Sequence, residues 1–176
     1  MIFKMDRIDE KISENNTIVG GEIYLQIGDQ FFPEEQWYDC ASILLDHWIP
    51  LITSFLHGST QSCKLAFMDG PCHVLLRRLS DSSVAVDCFY DQKKVLSDAV
   101  IDPILFADSV AKAANRYCRL LHLQGREDTV VSASLQKFDF ILPQIMAFVY
   151  LLRVYFYPTW YFRQIPHPHT SGSEAT

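Results

Sequence analysis

Three short segments in the middle of the chain are separated by connections of only three residues. The segments are residues 61–68, 72–79 and 83–90, and the connections Asp69–Gly70–Pro71 and Ser80–Asp81–Ser82 are rich in turn-forming residues. Connections this short join neighbouring antiparallel strands. Because a sheet must bury its apolar face against other elements, the pattern predicts an α+β fold.

Further strands are predicted on both sides of this meander. Residues 93–96 follow it as a short fourth strand, and residues 17–32 form another strand in which Ile23, Leu25 and Ile27 alternate with polar or amphipathic positions. The polar residues 1–16 indicate a loose arm or a short helix. The prediction is therefore an antiparallel sheet of about four to five strands.

Helical periodicity predicts the amphipathic elements that cover this sheet. A first helix over residues 34–57 places Trp37 and Trp48 on one apolar face, where both are expected to be buried. A second helix begins at Asp102–Pro103, which is an N-cap followed by proline in the first turn, and ends at Gly125. A third, hydrophobic C-terminal helix is predicted over residues 129–157.

The run from residue 140 to residue 162 is apolar enough to raise the question of a membrane span. Arg153 lies inside it and Pro143 and Pro158 interrupt it, so we expect no membrane insertion. A core helix that also offers a contact surface to a second copy or to a partner is favoured, with Tyr157, Trp160 and Tyr161 as the hydrophobic contact residues. We expect one domain over residues 1–163 and a disordered polar tail over residues 164–176.

The charge of the chain is unevenly distributed. The net charge is −6, and residues 1–60 contain ten Asp and Glu against three Lys and Arg. An acidic protein without a basic, aromatic-interleaved stripe is not expected to bind nucleic acid directly. A protein partner with a basic surface is favoured instead.

The acidic side chains also fall into a pattern. On the predicted helix, Glu35, Asp39 and Asp46 follow one stripe, and no Lys or Arg occurs between Lys11 and Lys64. The predicted partner-binding residues are Glu34, Glu35, Asp39, Asp46 and Asp69.

Residues for catalysis or metal binding are sparse. The five cysteines include no CxxC pair and the N-terminus has no apolar signal region, which indicates reduced thiols in the cytoplasm. No second Cys/His pair accompanies Cys72–His73, and no nucleotide-binding or hydrolase motif occurs, so we expect no metal, no cofactor and no enzymatic activity. Cys72, His73 and Cys88 on adjacent strands are the one candidate set for a cryptic Cys/His enzyme.

A family resemblance rests on a small set of positions between about residues 20 and 80. They are Phe32–Pro33, Trp37, Asp39, Trp48 and residues 67–71, Phe-Met-Asp-Gly-Pro. In this pattern of strand, amphipathic helix and hairpin the chain resembles the small bacterial immunity proteins of polymorphic-toxin and contact-dependent growth inhibition systems. The resemblance implies a cytoplasmic protein that binds and neutralises a cognate toxin domain, and it implies no particular binding residues.

The charge agrees with that class, since a toxin domain of the nuclease type is expected to be basic. Two alternatives remain open: the cryptic Cys/His enzyme, and a self-associating structural or interaction protein.

Overall fold

The computed structural model describes residues 1–8, 19–125 and 127–156. Within them the chain has an α+β fold with two antiparallel sheets of four strands each and three helices, so the predicted fold class is confirmed, although the strands are divided between two sheets. The elements in chain order are β1 Ile2–Ile8, β2 Gly20–Ile27, β3 Gln30–Phe32, β4 Tyr38–Cys40, α1 Ala41–Leu56, β5 Ser62–Ala66, β6 Cys72–Ser80, β7 Ser83–Tyr90, β8 Lys93–Ile101, α2 Pro103–Leu123 and α3 Thr129–Phe156.

The first sheet is built around β2. Strand β1 pairs with one edge of β2, and β3 and β4 pair with different parts of its other edge. The predicted strand over residues 17–32 is in fact the hairpin β2–β3, because the chain reverses at Gly28, whose φ of 60° suits a residue without a Cβ.

Strand β1 replaces the loose arm or short helix that was predicted for this part of the chain. Its far edge is tied to α2: the Phe3 N–H donates to Ser109 Oγ over 2.9 Å, and Arg116 donates to the Met5 carbonyl over 3.0 Å. These partners lie more than a hundred residues away in sequence. The strand therefore depends on tertiary pairing, and α2 protects its free edge from other strands.

The second sheet has the order β5–β6–β7–β8 and confirms the predicted meander. Its inner face is buried in the core through the side chains of Leu65, Val74 and Val86. Strand β8 continues to Ile101 instead of ending at residue 96, with register shifts opposite Cys88. Such bulges twist an edge strand and make it a poorer template for further pairing.

Helix α1 begins at Ala41, seven residues later than predicted. The preceding residues are extended because β4 pairs with β2, and the Ile23 N–H donates to the Trp37 carbonyl over 2.6 Å. Trp48 is completely buried, as predicted. Trp37 is half-buried and precedes the helix, so the prediction that both tryptophans share one helical face is wrong.

The two C-terminal helices agree well with their predicted bounds. Asp102 caps α2 by accepting hydrogen bonds from the Ile104 and Leu105 N–H groups, at 2.8 and 3.3 Å. Gly125, with a φ of 69°, follows the end of α2. Helix α3 contains Pro143 and buries one side of its first half.

Asp128 fastens the start of α3 to α2. One of its carboxylate oxygens accepts from the Val131 N–H at 3.0 Å, and the other accepts from the Tyr117 hydroxyl at 2.8 Å. Buried side chains from both sheets and all three helices then form one continuous cluster.

No helix in the described part of the chain is long and apolar enough to cross a membrane. Tyr157, Trp160 and Tyr161 lie outside the described residues, as do the predicted domain end at residue 163 and the tail over residues 164–176.

Candidate functional site

Two loops, residues 33–37 and 68–71, lie next to each other, and we refer to them together with Tyr38, the first residue of β4, as the two-loop surface. Asp39 joins them, because its Oδ2 accepts a hydrogen bond from the Met68 N–H over 2.9 Å. A Cβ placed on Gly70 would lie 3.2 Å from the Trp37 ring, so the second loop packs closely on this indole. The first loop is thereby held against the second by a hydrogen bond and by packing.

Asp39 is a structural carboxylate, and its prediction as a partner-facing residue is wrong. It is 1% exposed. Its Oδ1 accepts from the Cys40 N–H at 2.6 Å, so both carboxylate oxygens are bonded to backbone donors. Strand β4 turns this side chain inward, whereas the predicted helix would have placed it outward.

The predicted acidic stripe does not form. Glu35 lies in the first loop and Asp39 on β4, so neither lies on α1, which carries Asp46 in a half-exposed position. The structure instead places Glu34, Glu35 and Asp69 on the two-loop surface, where all three are exposed.

These three carboxylates form no ion pair with Lys or Arg in the part of the chain that the structure describes. The charge of one of them, Glu34, reaches a neighbouring group: burial raises the pKa of the Cys72 thiol, and the nearby charges of Asp39 and Glu34 raise it further. Among the residues that the structure describes, the two-loop surface is therefore locally negative and is not neutralised.

Two apolar side chains on this surface were missed by sequence reasoning. Tyr38 is 42% exposed and Met68 is 44% exposed. The Tyr38 ring lies over Gly20, and a side chain of any other residue type at position 20 would collide with it. Aromatic residues and methionine are enriched at the centres of protein interfaces. The sequence contains one indication of this exposure, which is that Tyr38 is the neighbour of Asp39. Adjacent residues of a strand point to opposite sides, so a buried Asp39 leaves Tyr38 on the outside.

The set proposed for a cryptic enzyme is not assembled. On β6 and β7, Cys72 and Cys88 face the core, whereas His73 points to the opposite side of the sheet and stacks on Phe89. Burial, and then the charge of Asp87, raises the pKa of the Cys88 thiol to about 12. A nucleophilic cysteine needs a low pKa and a nearby base, whereas the pKa values of these two thiols are raised and His73, the base of the predicted set, points away from them.

Thiol chemistry gives a direct check of this placement. In native protein pulsed with iodoacetamide at pH 8, we expect Cys63 and Cys88 to be alkylated far more slowly than the half-buried Cys40, because burial removes access and raises the pKa values of both thiols. Mass spectrometry of the digested protein assigns each site, and urea-unfolded protein should label at all five cysteines. Equal labelling of Cys88 and Cys40 in the native state would contradict the buried placement.

No group of three or more His, Cys, Asp or Glu side chains in the described residues is arranged to hold a metal ion. Comparison with protein-family models, with curated proteins and with solved structures gives no match for this chain.

Proposed function

We propose that this protein is a cytoplasmic immunity-type inhibitor that binds a basic toxin domain through the two-loop surface. The observation that carries the proposal is the pairing of the two loops, which presents Glu34, Glu35 and Asp69 together, exposed and without a neutralising Lys or Arg among the described residues. The resemblance of residues 20–80 to immunity proteins supports the same class.

The chemistry of the surface suits tight and fast association. Uncompensated carboxylates attract a basic partner over distances comparable to the Debye length, which is about 8 Å at physiological ionic strength. Tyr38 and Met68 then supply apolar contact area inside the acidic rim. Because Asp39 and Trp37 fix the loops before binding, little conformational entropy is lost when the partner docks.

Charge reversal on the two-loop surface tests this proposal. At low salt, the variant Glu34→Lys/Glu35→Lys/Asp69→Lys should associate about ten-fold or more slowly with a cognate basic toxin domain. The difference should shrink in 1 M salt, where the Debye length falls to about 3 Å. Stopped-flow or surface-based kinetics at several ionic strengths measures both effects.

The matched control is Asp81→Lys. Asp81 is an exposed carboxylate in the turn between β6 and β7, at the opposite end of β6 from Asp69 and about 27 Å away along the strand. The Asp81→Lys variant should associate with the toxin domain at nearly the rate of the native protein. A triple variant that associates as fast as the control, or that still protects cells producing the toxin domain as well as the native protein does, would refute the proposed surface.

A further inference from the structure

The outer face of the second sheet is open to solvent and combines aromatic rings with cationic side chains. Along one register row, Ala66 of β5, His73 of β6, Phe89 of β7 and Lys94 of β8 lie side by side. Ala66 and Lys94 are exposed, and the two rings between them are half-buried. Neighbouring positions on this face are Lys64 of β5, Asp87 of β7, and Leu75 and Arg77 of β6.

The two rings of this row form an ordered stack. His73 and Phe89 lie 4.8 Å apart between centroids, with an interplanar angle of 3°. Lys94 Nζ lies over the Phe89 ring, 5.7 Å from the ring centroid. The other side of the imidazole faces β5, where the neighbour in register is Ala66. Because the Ala66 side chain is small and exposed, it leaves free space beside the flat face of the imidazole.

Two of the cations of this face are held in place by one buried carboxylate. Asp87 is 2% exposed, and its Oδ2 accepts from Arg77 at 2.8 Å and from Lys94 at 3.1 Å. Lys64 forms no ion pair within the described residues, and it is close enough to add to the effect of burial in lowering the pKa of His73. Among the side chains that the structure describes on this face, three cations stand against one carboxylate, in a chain whose net charge is −6.

We propose that the outer face of the second sheet binds single-stranded nucleic acid, with a base stacked on His73 above Ala66 and the adjoining phosphates at Lys64 and Arg77. Exposed sheets that combine aromatic rings with cations bind single strands in this way, because every base offers a flat π-face and every nucleotide a negative charge. An acidic protein segment would bind the cations but would leave the free space beside the His73 ring unused. The net charge of the whole chain disfavours nucleic acid, whereas the fold gathers these cations on one face.

This inference goes beyond the proposed function and uses none of the two-loop surface. Fluorescence anisotropy of a labelled eight-nucleotide single strand, titrated with the full chain at low salt, tests it. Native protein should bind. His73→Ala should weaken binding about five-fold or more, the usual effect of losing one stacked base, and His73→Phe should restore it because a flat ring is kept. Lys64→Gln should reduce the slope of log affinity against log salt by about one, and Lys137→Gln, at an exposed position on α3, should not.

Three results would overturn the proposal. One is no binding of the oligonucleotide by native protein. Another is equal loss in His73→Ala and His73→Phe, which would show that the ring face is not used. The third is equally tight binding of an eight-residue poly-glutamate peptide with the same dependence on His73 and Lys64, which would assign the face to an acidic protein segment. Far-UV circular dichroism and thermal melting of each variant confirm that the fold is kept.

Discussion

Replacing Trp48 with alanine is expected to lower the free energy of unfolding by about 3–5 kcal/mol, the usual cost of deleting a large buried aromatic side chain. Trp48 is 0% exposed and touches both halves of the core: its ring lies 5.4 Å from that of Phe3 and 5.2 Å from that of Phe67. Its indole N–H donates to the Ala66 carbonyl at 2.8 Å, so the substitution also leaves a carbonyl of β5 without this donor. Urea unfolding followed by circular dichroism measures the change.

Two further variants separate these contributions. Trp48→Phe keeps most of the aromatic contact and loses the N–H donor, so it should cost less than Trp48→Ala. Leu51→Ala, on the same helix but 43% exposed, should change the stability by no more than about 0.5 kcal/mol. If Trp48→Ala were no more destabilising than Leu51→Ala, Trp48 would not be the packing centre described here.

Replacing Asp39 with asparagine is expected to cost about 1–3 kcal/mol of stability and to weaken partner binding as well. The carboxylate accepts from the Cys40 and Met68 N–H groups, whereas an amide has one acceptor oxygen and must direct an NH₂ group at the other donor. A buried donor left without a partner costs about 1–3 kcal/mol. The loop over residues 68–71 also loses its link to β4, so a partner would have to order it on binding.

Asp69→Asn is the matched control, since it makes the same chemical change on an exposed side chain of the same loop. It should leave the free energy of unfolding within about 0.5 kcal/mol of the native value. Urea unfolding of both variants gives the comparison, and amide hydrogen exchange at Met68 reports the lost hydrogen bond directly. Equal stability of Asp39→Asn and native protein would show that Asp39 does not hold the two loops together.

Local sequence determined those elements whose signals lie within a few residues. The meander of the second sheet follows from turns at Asp69–Gly70 and Ser80–Asp81 with apolar strands between them. Helix α2 follows from the Asp102–Pro103 start, and burial of Trp48 follows from helical periodicity. In each case the residues that form the element also specify it, so no distant partner had to be known.

Tertiary structure decided the strand pairing of the first sheet and the arrangement of the candidate surfaces. Strand β1 exists because β2, Ser109 and Arg116 satisfy its backbone groups from distant parts of the chain. The pairing of β4 with β2 overrides helical periodicity before Ala41, which turns Asp39 into the core and leaves Glu34 and Glu35 on a loop. A hydrophobic period of 3.6 residues records a preference of the local chain, and a ladder of interstrand hydrogen bonds outweighs it when the partner strand is supplied by the fold.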